Sequence, residues 1–249
     1  SERDKADKKQ YDIISNINVG QLFPKKWGLN IPLNYGQGEE SITPEFDQQY
    51  RDITLSSRMD QAESQEDKKA ILRQSEDYTK RKSLNLIGVN KQRTNDEKTP
   101  RFYDVENLTF NYSYNEVNHR DYEIENMLDQ NVRAGVNYNF NFNTVKLEPL
   151  KNNDSIFNSK YLKILKDFNV NLLPSSISVN TNYIRQFNKQ KFREVDLTQD
   201  NIGIQELFRR NYSFDFELAI SYPISENLSI DYNIGNNNIV RNYFIDDQI

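Results

Sequence analysis

Apolar and polar residues alternate with a period of two along much of the chain. In NVRAGVNYNFNFN, residues 131–143, Val132, Ala134, Val136, Tyr138, Phe140 and Phe142 fall on one side of an extended backbone, and Asn131, Arg133, Asn137, Asn139 and Asn141 fall on the other. The same stripe recurs in Tyr11, Ile13, Ile17 and Val19, and in Trp27, Leu29, Ile31, Leu33 and Tyr35. It returns in Leu108, Phe110, Tyr112 and Tyr114, and in Ile177, Val179, Tyr183 and Phe187. The last pair is the longest: Tyr212, Phe214, Phe216, Leu218, Ile220 and Tyr222, followed by Leu228, Ile230, Tyr232 and Ile234. A weaker stretch, KSLNLIGVNK at 82–91, has two mixed faces. GQLFPK and PISE are the predicted tight hairpin turns. The pattern gives about eight strands, most of them near the ~9–11 residues that a tilted strand needs to cross a hydrocarbon layer.

Between the stripes the chain turns charged. The longest interval, 37–82, contains SQEDKKAILRQSEDYTKRK, where Ser64 and Asp67 have capping-box spacing and predict an exposed helix. A second long connection spans 145–175 and includes an amphipathic patch, KYLKILKDF at 160–168, either a solvated helix or a docking element. No fixed-period repeat or domain-length linker divides residues 1–249.

An antiparallel sheet with one wet face has this alternation in any soluble sandwich. The population of the two faces adds information: opposite the apolar stripe stand mainly Asn, Ser, Thr, Asp and Gly, while charge collects in the loops. Rings gather toward strand ends, where amphipathic aromatics favour a membrane interface. The expected fold is therefore all-β, an antiparallel transmembrane β-barrel segment with long charged loops and short loop helices. Val132, Ala134, Val136, Tyr138, Phe140, Phe142, Phe214, Phe216, Leu218 and Ile220 are expected to face lipid, and Asn131, Arg133, Asn137, Asn139 and Asn141 a wet lumen. Arg185 shares its face with Val179 and Tyr183, so it is expected at the rim.

Composition sharpens this. Only 36% of residues are hydrophobic and mean hydropathy is -0.88, yet 15 Tyr and 14 Phe set the chain apart from disordered sequences. Cysteine is absent, which excludes disulfides and thiolate metal sites. A net charge of -5 provides no footprint for nucleic acid. No apolar run is long enough for a membrane helix. The opening SERDKADKKQ has no signal-peptide character, so the chain is expected to be cytosolic or a piece of something longer.

Candidate chemistry is sparse. His119 is the single histidine and supports neither a triad nor a zinc site. Glu39 with Glu40, and Asp246 with Asp247, lack calcium-loop spacing, and YGQGEE at 35–40 is a lone glycine pair. No catalytic residue, cofactor or metal is expected, and no enzymatic activity.

Four stretches carry a resemblance: LFPKKWGLNIPLNYG (22–36), ENLTFNYSYNEVNHRDYEIE (106–125), FNVNLLPSSISVNTNYIRQFN (168–188) and YPISENLSIDYNIGNNNIV (222–240). They resemble the SprA/Sov family, the giant outer-membrane barrels that form the type IX secretion translocon of Bacteroidetes. The resemblance implies a sector of a very large protein-conducting wall in the bacterial outer membrane. It also implies folded secreted cargo and barrel-associated capping or plug proteins as partners, alongside outer-membrane lipid. The residues alone leave two alternatives open: a complete small barrel acting as adhesin or porin, or a soluble β-sandwich surface-binding module. Loop lengths place GQLFPK and PISE on the periplasmic side and 37–82 outside, although 145–175 fits that rule poorly.

Overall fold

The computed structural model describes residues 5–95, 99–143, 145–147, 170–194, 204–225 and 228–244. Eight long strands dominate: β1 (Ala6–Asn18), β3 (Pro32–Pro44), β4 (Asp77–Lys91), β5 (Leu108–Arg120), β6 (Ile124–Asn141), β9 (Ser176–Phe192), β10 (Leu207–Ser225) and β11 (Leu228–Phe244). Short pieces complete the set: β2 (Leu29–Asn30), β7 (Lys146–Leu147), β8 (Val170–Asn171), and helices α1 (Leu55–Asp60) and α2 (Gln65–Ser75). The chain is all-β.

The eight long strands form one antiparallel meander in the order β1-β3-β4-β5-β6-β9-β10-β11, with β2 extending the pairing of β4. Each long strand therefore lies beside its neighbour in sequence, the simplest solution for an alternating chain interrupted by loops. The strands pack along their edges, and among the described residues the only other sheet is the two-stranded β7–β8 ladder, which touches β10 at its lower end and leaves most of both faces of the meander open. Within the described residues β1 and β11 each have a hydrogen-bonded neighbour on one side.

One end of the sheet, here the upper end, carries the 45–76 connection with α1 and α2, a short turn at 121–123 and the 193–206 connection. The lower end carries the connections 19–31, 92–107 and 142–175, and the two-residue step from β10 to β11. Long connections thus occur at both ends, so loop length does not assign sidedness.

Three local readings change. GQLFPK is not a tight turn: residues 19–31 hold two 3-10 turns and β2, and β3 starts only at Pro32. Asn18 organises this connection, its Oδ1 accepting from the N–H of Gly20 (3.0 Å) and Ile31 (3.1 Å) while its Nδ2 donates to Asn30 (2.9 Å). Residues 82–91 looked mixed because β4 bulges: Leu86 faces Tyr112 and Val89 faces Phe110, so one extra residue inverts the alternation. Leu84, Leu86 and Val89 consequently share a face. At the third place, Ser64 caps α2 through the Asp67 N–H (3.0 Å), but the helix stops at Ser75 and Asp77–Lys91 is strand. The patch at 160–168 lies outside the described residues.

Candidate functional site

Register converts the stripes into rows that cross the sheet. On one face the uppermost apolar row is Tyr35, Leu84, Tyr114, Val132, Arg185 and Tyr212. Below it come Leu33, Leu86, Tyr112, Ala134, Tyr183 and Phe214, then Val89, Phe110, Val136, Thr181 and Phe216. The next row is Leu108, Tyr138, Val179, Leu218 and Ile234, and the lowest is Phe140, Ile177, Ile220 and Tyr232. From Val132 to Phe140 is about 27 Å along the strand at ~3.4 Å per residue. With a barrel-like tilt this falls slightly short of the ~25 Å apolar band of outer-membrane barrels. Aromatic pairs in the lower connections extend it.

This face is uncovered over most of its area. Among the described residues the only buried hydrophobic side chains are Leu55, Phe140 and Phe208, whereas Phe110, Val136, Phe214 and Ile234 stand 38–43% exposed. Phe140 is the covered member of the stripe, with the ring of Phe142 edge-on at 4.7 Å; Phe142 itself lies just beyond β6. The hydroxyl of Thr181 is turned back to the backbone of Val136, donating to its carbonyl and accepting from its N–H, both at 3.1 Å.

Tyrosine tips point away from the middle of the band. In the uppermost row Tyr35 donates to Gln37 (3.0 Å) and Tyr114 to Glu116, both one row further up. Near the lower margin Tyr138 donates to the carbonyl of Phe102 (2.5 Å), and Tyr222 to that of Asn171 (2.7 Å). Ring pairs Phe23–Trp27 (5.8 Å) and Phe102–Tyr103 (5.2 Å) occupy the lower connections. Rings with polar tips turned toward both margins match two interfacial girdles.

Apart from Arg185 in the uppermost tyrosine row, charge begins above the tyrosines. The next rows on this face hold Gln37, Lys82, Glu116 and Gln130, then Glu39, Lys80, Asn118 and Leu128. Lys80 pairs with Glu39, and Lys82 with Glu116 at 3.5 Å. The strands thus continue well past the apolar band at the upper end.

The opposite face is built from amides. Asn131 lies in the row Gly36, Ser83, Asn115, Asn131, Gln186 and Asn211, and Arg133 in the row Asn34, Asn85, Ser113, Arg133, Ile184 and Ser213. Asn137 stands between Thr109 and Asn180, Asn139 opposite Ser178, and Asn141 opposite Ser176. Amide ladders tie the strands together: Asn34 donates to Asn16, Asn85 to Asn34 (3.3 Å) and Asn211 to Gln186 (3.2 Å). Arg133, Asp215, Glu217 and, in the Asn141 row, Asp231 are charges among these rows, and Asn237 donates to Asp215.

At the lower end a polar staple holds the 92–107 connection. Asp104 accepts from the Arg101 N–H (2.8 Å) and from Arg93 (3.0 Å), which holds its carboxyl below the usual range. Lys91 does the same for Glu106 at 2.8 Å. His119 sits at the upper end between the hydroxyl of Thr79 (2.9 Å) and Asp121 (3.2 Å), as a polar tie between β4 and β5.

The sequence pattern missed two groups. Asn236 and Asn238 fall opposite Phe216 and Phe214, inside the apolar band on β11; they continue the two-residue period of Ile230, Tyr232 and Ile234, but as amides they do not stand out as members of an apolar stripe. Arg185 and Arg210 stand on the apolar face at its upper margin; the alternation placed the former, but only pairing brings the latter beside it.

Residues 1–59 match the SprA_N family, described as motility related/secretion protein. The match covers β1 to β3 and most of α1, and includes the LFPKKWGLNIPLNYG stretch. No curated protein matches the chain. In its first hairpin and the connection after it, this two-faced sheet is similar to a motility- and secretion-related protein.

Proposed function

We propose that this chain forms one sector of the wall of a large outer-membrane barrel that conducts folded secreted proteins, with no catalytic step. The apolar face lies against lipid and the amide face borders an aqueous conduit. The observation that carries this is the uncovered single-layer sheet whose tyrosine hydroxyls turn outward at both margins of the apolar band. A soluble domain of this length would hide that face behind a second layer. Unpaired strand edges are not tolerated in hydrocarbon, so β1 and β11 must pair with each other or with further strands, and their lying unpaired among the described residues favours a sector over a complete small barrel.

A mostly neutral amide wall suits passage of varied clients, because it offers neither greasy patches nor strong fields to hold them. Capping or plug proteins would seat on the connections and the charged upper rows. Nitroxides placed singly at Val136 and Asn137 test the assignment in bilayers. Val136 is expected to be open to dissolved oxygen and closed to a water-soluble nickel chelate, and Asn137 the reverse. Chelate access at Val136 would overturn the proposal.

A further inference from the structure

On the apolar face, the margin that starts at the uppermost tyrosine row is unusual at β9 and β10. Three successive cross-strand pairs, Arg185 with Tyr212, Phe187 with Arg210 and Lys189 with Phe208, each join a cation to a ring. The cations lie over those rings at 5.9, 5.3 and 5.2 Å, and the Phe187 and Phe208 rings are 6.3 Å apart. The cation alternates between strands from one row to the next, so the positive groups form a zigzag climbing from the edge of the band.

Their partners differ. Lys189 is neutralised by Glu206 at 3.0 Å. Arg185 and Arg210 have no carboxylate or hydrogen-bond partner among the described residues, and the Nε of Arg210 is buried without an acceptor. Elsewhere on these rows cations are matched, as Lys82 is by Glu116 and Lys80 by Glu39. A ring beneath a guanidinium fills one face and leaves its forked N–H edge free, and that edge fits a phosphate bidentately.

We infer that Arg185 and Arg210, held on Tyr212 and Phe187, form a binding site for the phosphate of an anionic lipid head group. The site is continuous with the apolar band, so a lipid whose chains cover Tyr183 and Phe214 carries its phosphate to the height of the two guanidinium groups. This rests on the membrane-wall proposal above. A soluble phosphate would share the chemistry but lacks the chains that the adjoining face can cover.

The test uses the full-length polypeptide in nanodiscs, with a bimane on Tyr183→Cys, one row inside the band from Arg185. Quenching by phosphatidylglycerol brominated in its chains is compared with quenching by phosphatidylcholine brominated identically. Preferential quenching by phosphatidylglycerol is expected, lost in R185Q/R210Q at about fivefold per charge removed and largely kept in R185K/R210K. Quenching by phosphatidylcholine reports that each variant remains folded in lipid. No quenching by either lipid would overturn the membrane wall itself. Equal quenching by both in the unsubstituted pair would overturn the phosphate site alone. Loss of the preference on adding excess inorganic phosphate, at ionic strength matched with chloride, would overturn the assignment to lipid.

Discussion

The backbone N–H of Gly88 in β4 donates to the side-chain oxygen of Asn111 in β5 at 2.8 Å, across the bulge that brings Leu86 and Val89 onto one face. Gly88 has φ 75°, and a Cβ there would meet nothing within 4 Å. Any penalty for a side chain therefore comes from backbone torsion rather than collision. Gly88→Val is expected to destabilise the sheet by about 1–2 kcal/mol, and Gly88→Asn by less. Asn111→Ala should cost about 1 kcal/mol by leaving the N–H unpaired. Urea midpoints in lipid measure both; a neutral Gly88→Val would mean that the bulge is not fixed by torsion.

Neighbouring residues on opposite faces separate the two environments energetically. Val136→Arg places a charge near mid-band and is expected to cost roughly 2–4 kcal/mol of folding in a bilayer. Asn137→Arg, one position along, should change stability little, because its face is expected to be wet. Equilibrium folding into vesicles reads the pair; equal penalties would contradict opposite surroundings.

Acid should loosen the 101–107 segment. Asp104 and Glu106 both have their carboxyls lowered from ordinary values of 3.8 and 4.5 by their partners. Lowered native values mean that the charged forms hold the segment, so this stabilisation is complete above those ordinary values and declines as pH falls through the depressed ones. Both groups are only half-buried, so salt should weaken the effect. A nitroxide at Val105 is expected to sharpen toward a mobile lineshape below pH ~4. Mobility rising instead with alkalinity would run against the sign.

Regular alternation made most of the sheet legible in the sequence. Val132 to Phe140 and Phe214 to Ile220 follow a strict two-residue period, and register lays them in common rows. Where the period breaks, the sequence misleads. At 82–91 a single inserted residue inverts the faces, and only pairing with Tyr112 and Phe110 reveals the shift. At 19–31 turn residues suggested a hairpin, but Asn18 satisfies backbone groups on both sides of a wider connection, a long-range role that local propensity does not encode. The cation and ring zigzag is hidden in the sequence for the same reason: Arg185 and Arg210 become neighbours only through strand pairing.

The strands of this sheet do not stop where the greasy rows end. β6 runs eight residues from Ile124 before reaching Val132, a further ~27 Å of hydrogen-bonded wall above the tyrosines. In a bilayer that overhang would stand as a stiff parapet, roughly doubling the height of the enclosure. A client leaving the lipid level would still be fenced in, and a lid would rest on a rigid rim instead of on wandering loops.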